Sequence, residues 1–212
     1  MPPEDRFVPR FAAEPPQEGL PYGRWADRLS EEFLAACASA SDTDEDEVGQ
    51  PGDIAWYPDR TWSGVTHVPA SALSDRGYEL FGYVSFEAAE QQGGEPERMQ
   101  ALADYTEETA ERNPDWKLDL CDEVIGSWRG HAGKQASITL VWGRSLVPGG
   151  KIATAELGGL VVDQCELQQE RFTLIAPDDY GSDLLEVVLY DGRGRELARE
   201  SLYAEDEDQE QA

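Results

Sequence analysis

Two periodicities divide the chain. Trp25, Leu29, Phe33 and Cys37 recur every four residues, and Ala26, Leu34 and Ala36 widen the stripe. That spacing predicts an amphipathic helix over residues 21–40. The acidic run "SDTDEDE" ends it, because carboxylates at a helix C-terminus meet the negative end of the helix dipole. A stripe led by Trp25, Leu29 and Phe33 is too apolar to leave in water. It must cover this chain's own sheet or a partner. The dozen-residue linker "SDTDEDEVGQPGD" can reach across a domain of this size, which favours the chain's own sheet.

From about residue 50 the period shortens to two, in runs broken by turn residues. "DIAWYP" and "RTWSGVTHVPA" read as strands and "SDRG" as a turn. "YELFGYVSF" carries Leu80, Val84 and Phe86 on one face and Phe81 and Tyr83 on the other. A strand apolar on both faces is covered on both, by the helix, a second layer or a lined cavity. "QQGGEPE" is a loop. "ERMQALADYTEETAER" reads as a helix, with Met99, Leu102, Ala103, Thr106 and Ala110 at helical spacing. Beyond residue 126, "GSWRG", "ASITLVWG", "KIATAEL", "LVVDQCEL", "RFTLIA" and "LLEVVLYDGRGRELARESLY" are strands. The last is a hairpin closed at "GRGR". Its expected register sets Tyr190 opposite Arg195, Val188 opposite Leu197 and Glu186 opposite Arg199.

About ten strands predict a mainly β fold, an antiparallel sandwich or barrel-like sheet. The N-terminal amphipathic helix and one or two further short helices complete it. The expected organisation is a Pro-rich acidic arm (1–20), the helix (21–40), a single β-rich domain (50–204) and an acidic tail (205–212), with both acidic termini mobile.

"NPDWKLDLCDEVIGSWRG", residues 113–130, supports two elements. Asn113, Pro114 and Asp115 are helix-start signals, and Leu118, Cys121, Ile125 and Trp128 follow at spacings of three, four and three. The balance favours a short helix with Asp122 partly in solvent. As a strand, the segment aligns Trp116, Leu118, Leu120, Asp122, Val124, Gly126 and Trp128. Asp122 is then a buried acid, unless a bulge interrupts the row. In the helical reading, Gly126, Trp128 and Arg129 resemble the Gly-x-Trp opening of lipocalin-like β-barrels. That resemblance implies a tryptophan closing one barrel end. The roughly 75 residues of strand that follow are too few for such a barrel unless strands before residue 90 join it.

Charge narrows the partners. The 212 residues carry a formal net charge of −27. Two runs, Asp42 to Glu47 and Glu205 to Glu210, hold five acids each, so the remainder still carries about −17. That field repels nucleic acid and anionic membrane surfaces alike. Three Lys stand against fourteen Arg, the usage of a bacterial high-GC genome or a salty cytoplasm. No apolar run approaches the ~20 residues of a membrane span. "MPPEDRFVPR" lacks the order of a signal peptide. Cys37, Cys121 and Cys165 form no CxxC or disulfide framework. A soluble cytoplasmic protein is the expectation.

The candidate chemistry is sparse. His67 and His131 leave little room for a zinc site or a catalytic triad. No phosphate-binding glycine loop and no G-x-S-x-G elbow occurs. Asp178 and Asp179 in "APDDYGSD" lack calcium-loop spacing. No cofactor is implied. The expectation is a non-enzymatic binding or protein-interaction domain, taking a protein partner or a small neutral ligand. Trp25, Leu29, Phe33, Trp62, Tyr83 and Trp128 are the candidate binding residues. The alternative is a carboxylate-dependent hydrolase acting on a neutral substrate such as a sugar.

Overall fold

The computed structural model describes residues 26–41, 48–87, 96–129, 135–178 and 185–202. One helix, α1 (Ala26–Ser41), precedes twelve strands: β1 (Pro51–Trp56), β2 (Arg60–Trp62), β3 (Val65–Ser74), β4 (Glu79–Glu87), β5 (Glu97–Thr106), β6 (Leu118–Arg129), β7 (Gln135–Ser145), β8 (Gly150–Leu157), β9 (Leu160–Glu166), β10 (Arg171–Asp178), β11 (Leu185–Asp191) and β12 (Glu196–Ser201). All pairings are antiparallel. Sheet A runs β1-β3-β4-β5 with β2 also on β3; sheet B runs β10-β7-β6; sheet C runs β12-β11-β8-β9. The fold is mainly β, as the two-residue period implies. Its three separate sheets are not a closed barrel.

Three apolar clusters give the layer order. In the first, Leu29, Phe33 and Cys37 of α1 meet Val68, Ala70, Leu80 and Val84 of sheet A. Phe33 is fully buried, its ring 6.0 Å from that of Trp56. Burying each large side chain of the stripe is worth roughly 1.5–3 kcal/mol. The second cluster holds Tyr57, Ile138, Leu140, Trp142 and Ile175, with Trp62, Phe81, Tyr83 and Trp128 packed around them. It fills the space between sheets A and B. The third joins Val141, Phe172 and Leu174 of sheet B to Ala153, Ala155, Leu185 and Leu189 of sheet C. The order is therefore helix, sheet A, sheet B, sheet C. Strand β7 lies in the middle layer, so Ile138 and Leu140 on one face and Thr139 and Val141 on the other are all buried. Arg60 fastens the stack: its Nη2 donates to both Asp163 carboxylate oxygens on β9, at 2.5 and 2.6 Å. Asp163 also accepts the Ile175 N–H of β10 at 2.8 Å.

Several local expectations are corrected. The expected helix at 97–112 is largely β5. Met99, Ala101, Ala103 and Tyr105 pack toward α1, while Arg98, Gln100, Leu102 and Asp104 face out. Pairing with β4 under the helix outweighs the helix propensity of the segment. The favoured short helix after Asn113 is β6, and its start signals serve a turn instead. The Asn113 N–H donates to the Thr109 carbonyl, and the Trp116 N–H to that of Asn113. A register shift between Val124 and Gly126 makes the strand bulged. Leu118 and Leu120 face sheet C, whereas Trp128 lies on the sheet A side. The extended row thus breaks at the bulge. Asp122 and Val124 lie where the cover ends, and both are exposed, so Asp122 is not a buried acid. Trp128 packs inside the layered core, not across a barrel end.

"RTWSGVTHVPA" is a hairpin and not one strand. Ser63 and Gly64, at φ 53° and 81°, turn β2 into β3. The final hairpin pairs Val188 with Arg199 and Leu189 with Ala198, then shifts register. Asp191 Oδ1 accepts the N–H groups of Arg193 and Arg195, which widens the turn beyond the expected two residues. The expected Glu186–Arg199 contact survives as a diagonal ion pair at 2.9 Å. The two acidic termini expected to be mobile lie outside the described residues.

Candidate functional site

The layer between sheets A and B is apolar over most of its extent but polar at one mouth. There the described residues enclose a cleft of about 220 Å³. Asp53, Ala55, Tyr57, Ser71, Leu73 and Glu79 line it from the sheet A side. The strand period explains the set. Ala55 pairs with Ser71 and Leu73 with Glu79, so neighbouring strands present the same face. The turn at 109–111 forms the rim, and Arg144 and Arg171 the opposite wall.

Those two arginines belong to one cross-strand row: Arg171 is opposite Arg144, and Arg144 opposite Asp119. Arg144 Nε donates to Asp119 Oδ2 at 3.0 Å. The Arg171 guanidinium carbon sits 5.8 Å from the centre of the Tyr57 ring, and its Nη1 donates to the Trp56 carbonyl at 3.4 Å. The Tyr57 hydroxyl shares a 3.3 Å hydrogen bond with Ser71 Oγ. The rim is itself braced, because Asn113 Nδ2 donates to the Thr109 carbonyl at 3.0 Å and to Glu108 at 3.1 Å.

Electrostatics single out Glu79. Burial, then the charge of Asp119, pushes its carboxyl up to about 6, against the lowering effects of Ser71 and Arg144. Arg144 does little to reverse this while its own charge is matched by Asp119. Burial also pushes the Tyr57 hydroxyl up.

The cleft differs from the residues expected to bind. Trp62, Tyr83 and Trp128 do come together, in the apolar cluster behind it. Tyr83 lies against His67 with ring centres 5.5 Å apart. Trp62 packs on Gly126 so closely that a Cβ there would stand 2.7 Å from its ring. Leu29 and Phe33 lie on the far side of sheet A, buried under α1. Trp25 lies outside the described residues, as do His131 and Asp179. None of the described five lines the cleft. They hold the layers together.

Nucleophiles are poorly placed. Cys37, Cys121 and Cys165 form no disulfide. Burial pushes Cys37 up to about 11 and Cys165 up to about 12, and it raises Cys121 as well. All three stay protonated and unreactive at neutral pH. Burial drives His67 down to about 4, so its imidazole is neutral. Among the described residues no group of three or more His, Cys, Asp or Glu could hold a metal ion. None of the described helices is long and apolar enough to cross a membrane. A second charged cluster, on sheet C, satisfies itself: Arg199 pairs with Glu156, Glu186 and Glu196 at 2.8–3.0 Å.

Comparison of the chain with protein families, with curated proteins and with solved structures finds no match.

Proposed function

We propose that this chain is a non-enzymatic binding protein whose cleft between sheets A and B takes a small polar molecule. The observation that carries this reading is the composition of the cleft walls. A single concavity of about 220 Å³ gathers Asp53, Glu79, Glu111, Arg144, Arg171 and Ser71 at the edge of an otherwise apolar layer. Pockets for drug-sized ligands measure ~300–1,000 Å³, so the occupant is smaller, about the size of a monosaccharide or an amino acid. The protonated thiols and the neutral His67 argue for binding over covalent chemistry. The Leu29–Phe33 stripe is spent on the chain's own sheet and is not free for a partner protein.

The test is a small-metabolite screen by saturation-transfer NMR on the full chain and on Ala110→Trp. That substitution fills the cleft from its rim without entering an apolar cluster. Ligands should bind the wild type and be lost from Ala110→Trp while both melt alike. Equal binding to both proteins rejects the cleft as the site.

A second reading, hydrolysis of a neutral substrate such as a sugar, draws on one observation. Glu79, held protonated into the mildly acidic range, has the character of a general acid. Asp119, whose charge acts on Glu79, is paired with Arg144 but does not line the cleft. Turnover of aryl glycosides lost in Glu79→Gln would establish this reading; no turnover by the wild type rejects it.

A further inference from the structure

We infer that the occupant of this cleft is a small organic cation, an ammonium or guanidinium compound, with the Glu79 carboxylate as its counter-ion. The inference rests on the cleft being a binding site and adds the charge of the ligand. Both guanidiniums on the sheet B wall are already engaged. Arg144 is matched by Asp119, and Arg171 is held on the Tyr57 ring and the Trp56 carbonyl. Facing them are Asp53 from β1, Glu79 from β4 and Glu111 from the rim. With every group ionised, the cleft and Asp119 together hold two more negative than positive charges. An anion entering would face that surplus and the field of a chain at −27. A cation would be drawn by both. Ser71 Oγ adds a hydrogen-bond acceptor for an N–H donor.

The arrangement also makes binding sensitive to protons. The groups around Glu79 are Asp53, Tyr57, Glu111, Asp119 and the protonated Cys121 thiol, with Arg144 and Arg171. From β5 its partner is the uncharged Thr106. Protonated, Glu79 offers a cation no charge; ionised, it pairs with one. A bound cation favours the ionised form, so affinity rises from pH 5 to pH 7.5 as the proton leaves.

The experiment follows the backbone amides of Ser71, Thr109 and Ala110 by NMR in the full chain. The probes are n-butylammonium, succinate and glucose, at pH 5 and pH 7.5. At pH 7.5 butylammonium should shift these amides saturably and in preference to the other two. Its affinity should fall several-fold, up to about tenfold, at pH 5, where a carboxyl raised to about 6 is mostly protonated, and at least tenfold in Glu79→Gln. Glu166→Gln, which removes an exposed charge on β9, should change it less than twofold. Glu79→Gln removes a carboxylate that is costly to bury, so it should fold. If Glu79→Gln or pH 5 leaves the affinity unchanged, or if succinate or glucose binds better, the inference is overturned while the cleft remains a binding site. If no probe moves these amides, both the inference and the cleft reading fall.

Discussion

Phe33→Ala tests the outermost layer of the stack. Phe33 is 0% exposed and lies among Leu29, Cys37, Val68, Ala70, Leu80 and Val84, with its ring tilted 58° to that of Trp56. Truncation removes a buried ring and leaves a cavity between a helix and a sheet. The sheet beneath cannot rise to fill it, because β4 is paired on both sides, to β3 and β5. Gly82 fixes the β4–β5 approach: even a Cβ there would stand 2.0 Å from the Leu102 carbonyl oxygen. Large-to-small changes of this kind cost about 3–5 kcal/mol. For a domain of this size, each kcal/mol moves the melting temperature by about 2–4 °C, so a fall of roughly 6–20 °C is expected. Thermal melts by circular dichroism, paired with urea titration, measure it; size-exclusion chromatography reports whether association changes. A mutant that melts like the wild type refutes the packing of α1 on sheet A. If that mutant also loses an oligomer, the helix belongs to a partner interface.

Gly126→Ala should destabilise by about 1–3 kcal/mol, because the new methyl meets the Trp62 ring at 2.7 Å; Trp62→Leu in the same chain should recover part of the loss in a urea titration. Arg60→Leu should cost about 3–5 kcal/mol, since Asp163 would stay buried without its partner, while Arg60→Leu with Asp163→Leu should cost less than the single change. Glu79 is raised from 4.5 to about 6, so its contribution to stability is fully present below pH 4.5 and is lost as pH rises through about 6. Glu79→Gln should therefore gain about 1–2 kcal/mol over the wild type across that interval and hold the gain at neutral pH, as read by urea midpoints. His67 acts the other way. Lowered from 6.5 to about 4, it contributes stability that is present above pH 6.5 and lost as pH falls toward 4, and replacing it with Gln should flatten that limb.

The layers were more legible than their joints. The helical stripe of Leu29, Phe33 and Cys37 and the two-sided apolar strand Leu80–Phe86 each state what they bury, and those contacts form. Segments whose local signals answered a nearby need misled. Asn113 and Pro114 look like a helix start but shape the turn that rims the cleft. Leu102 and Ala103 suggest a helical stripe, yet they point to opposite faces of β5. The bulge at Ile125 has no local signal except Gly126, whose role depends on Trp62, 64 residues away in the chain. The cleft was least legible. Tyr57, Ser71, Glu79, Glu111, Arg144 and Arg171 come from six separate places, joined only by sheet pairing and by the meeting of two sheets. Each is ordinary in its own segment. The aromatic residues that drew attention, Trp62, Tyr83 and Trp128, supply the rigid floor behind it.

The most direct test of the account is to purify the chain from its native host, release bound molecules by denaturation and identify them by mass spectrometry, comparing wild type with Ala110→Trp. A small polar molecule should be released from the wild type and be missing from the variant, with both proteins equally folded. The same small molecules recovered from both, or only a protein that accompanies both equally, would contradict it.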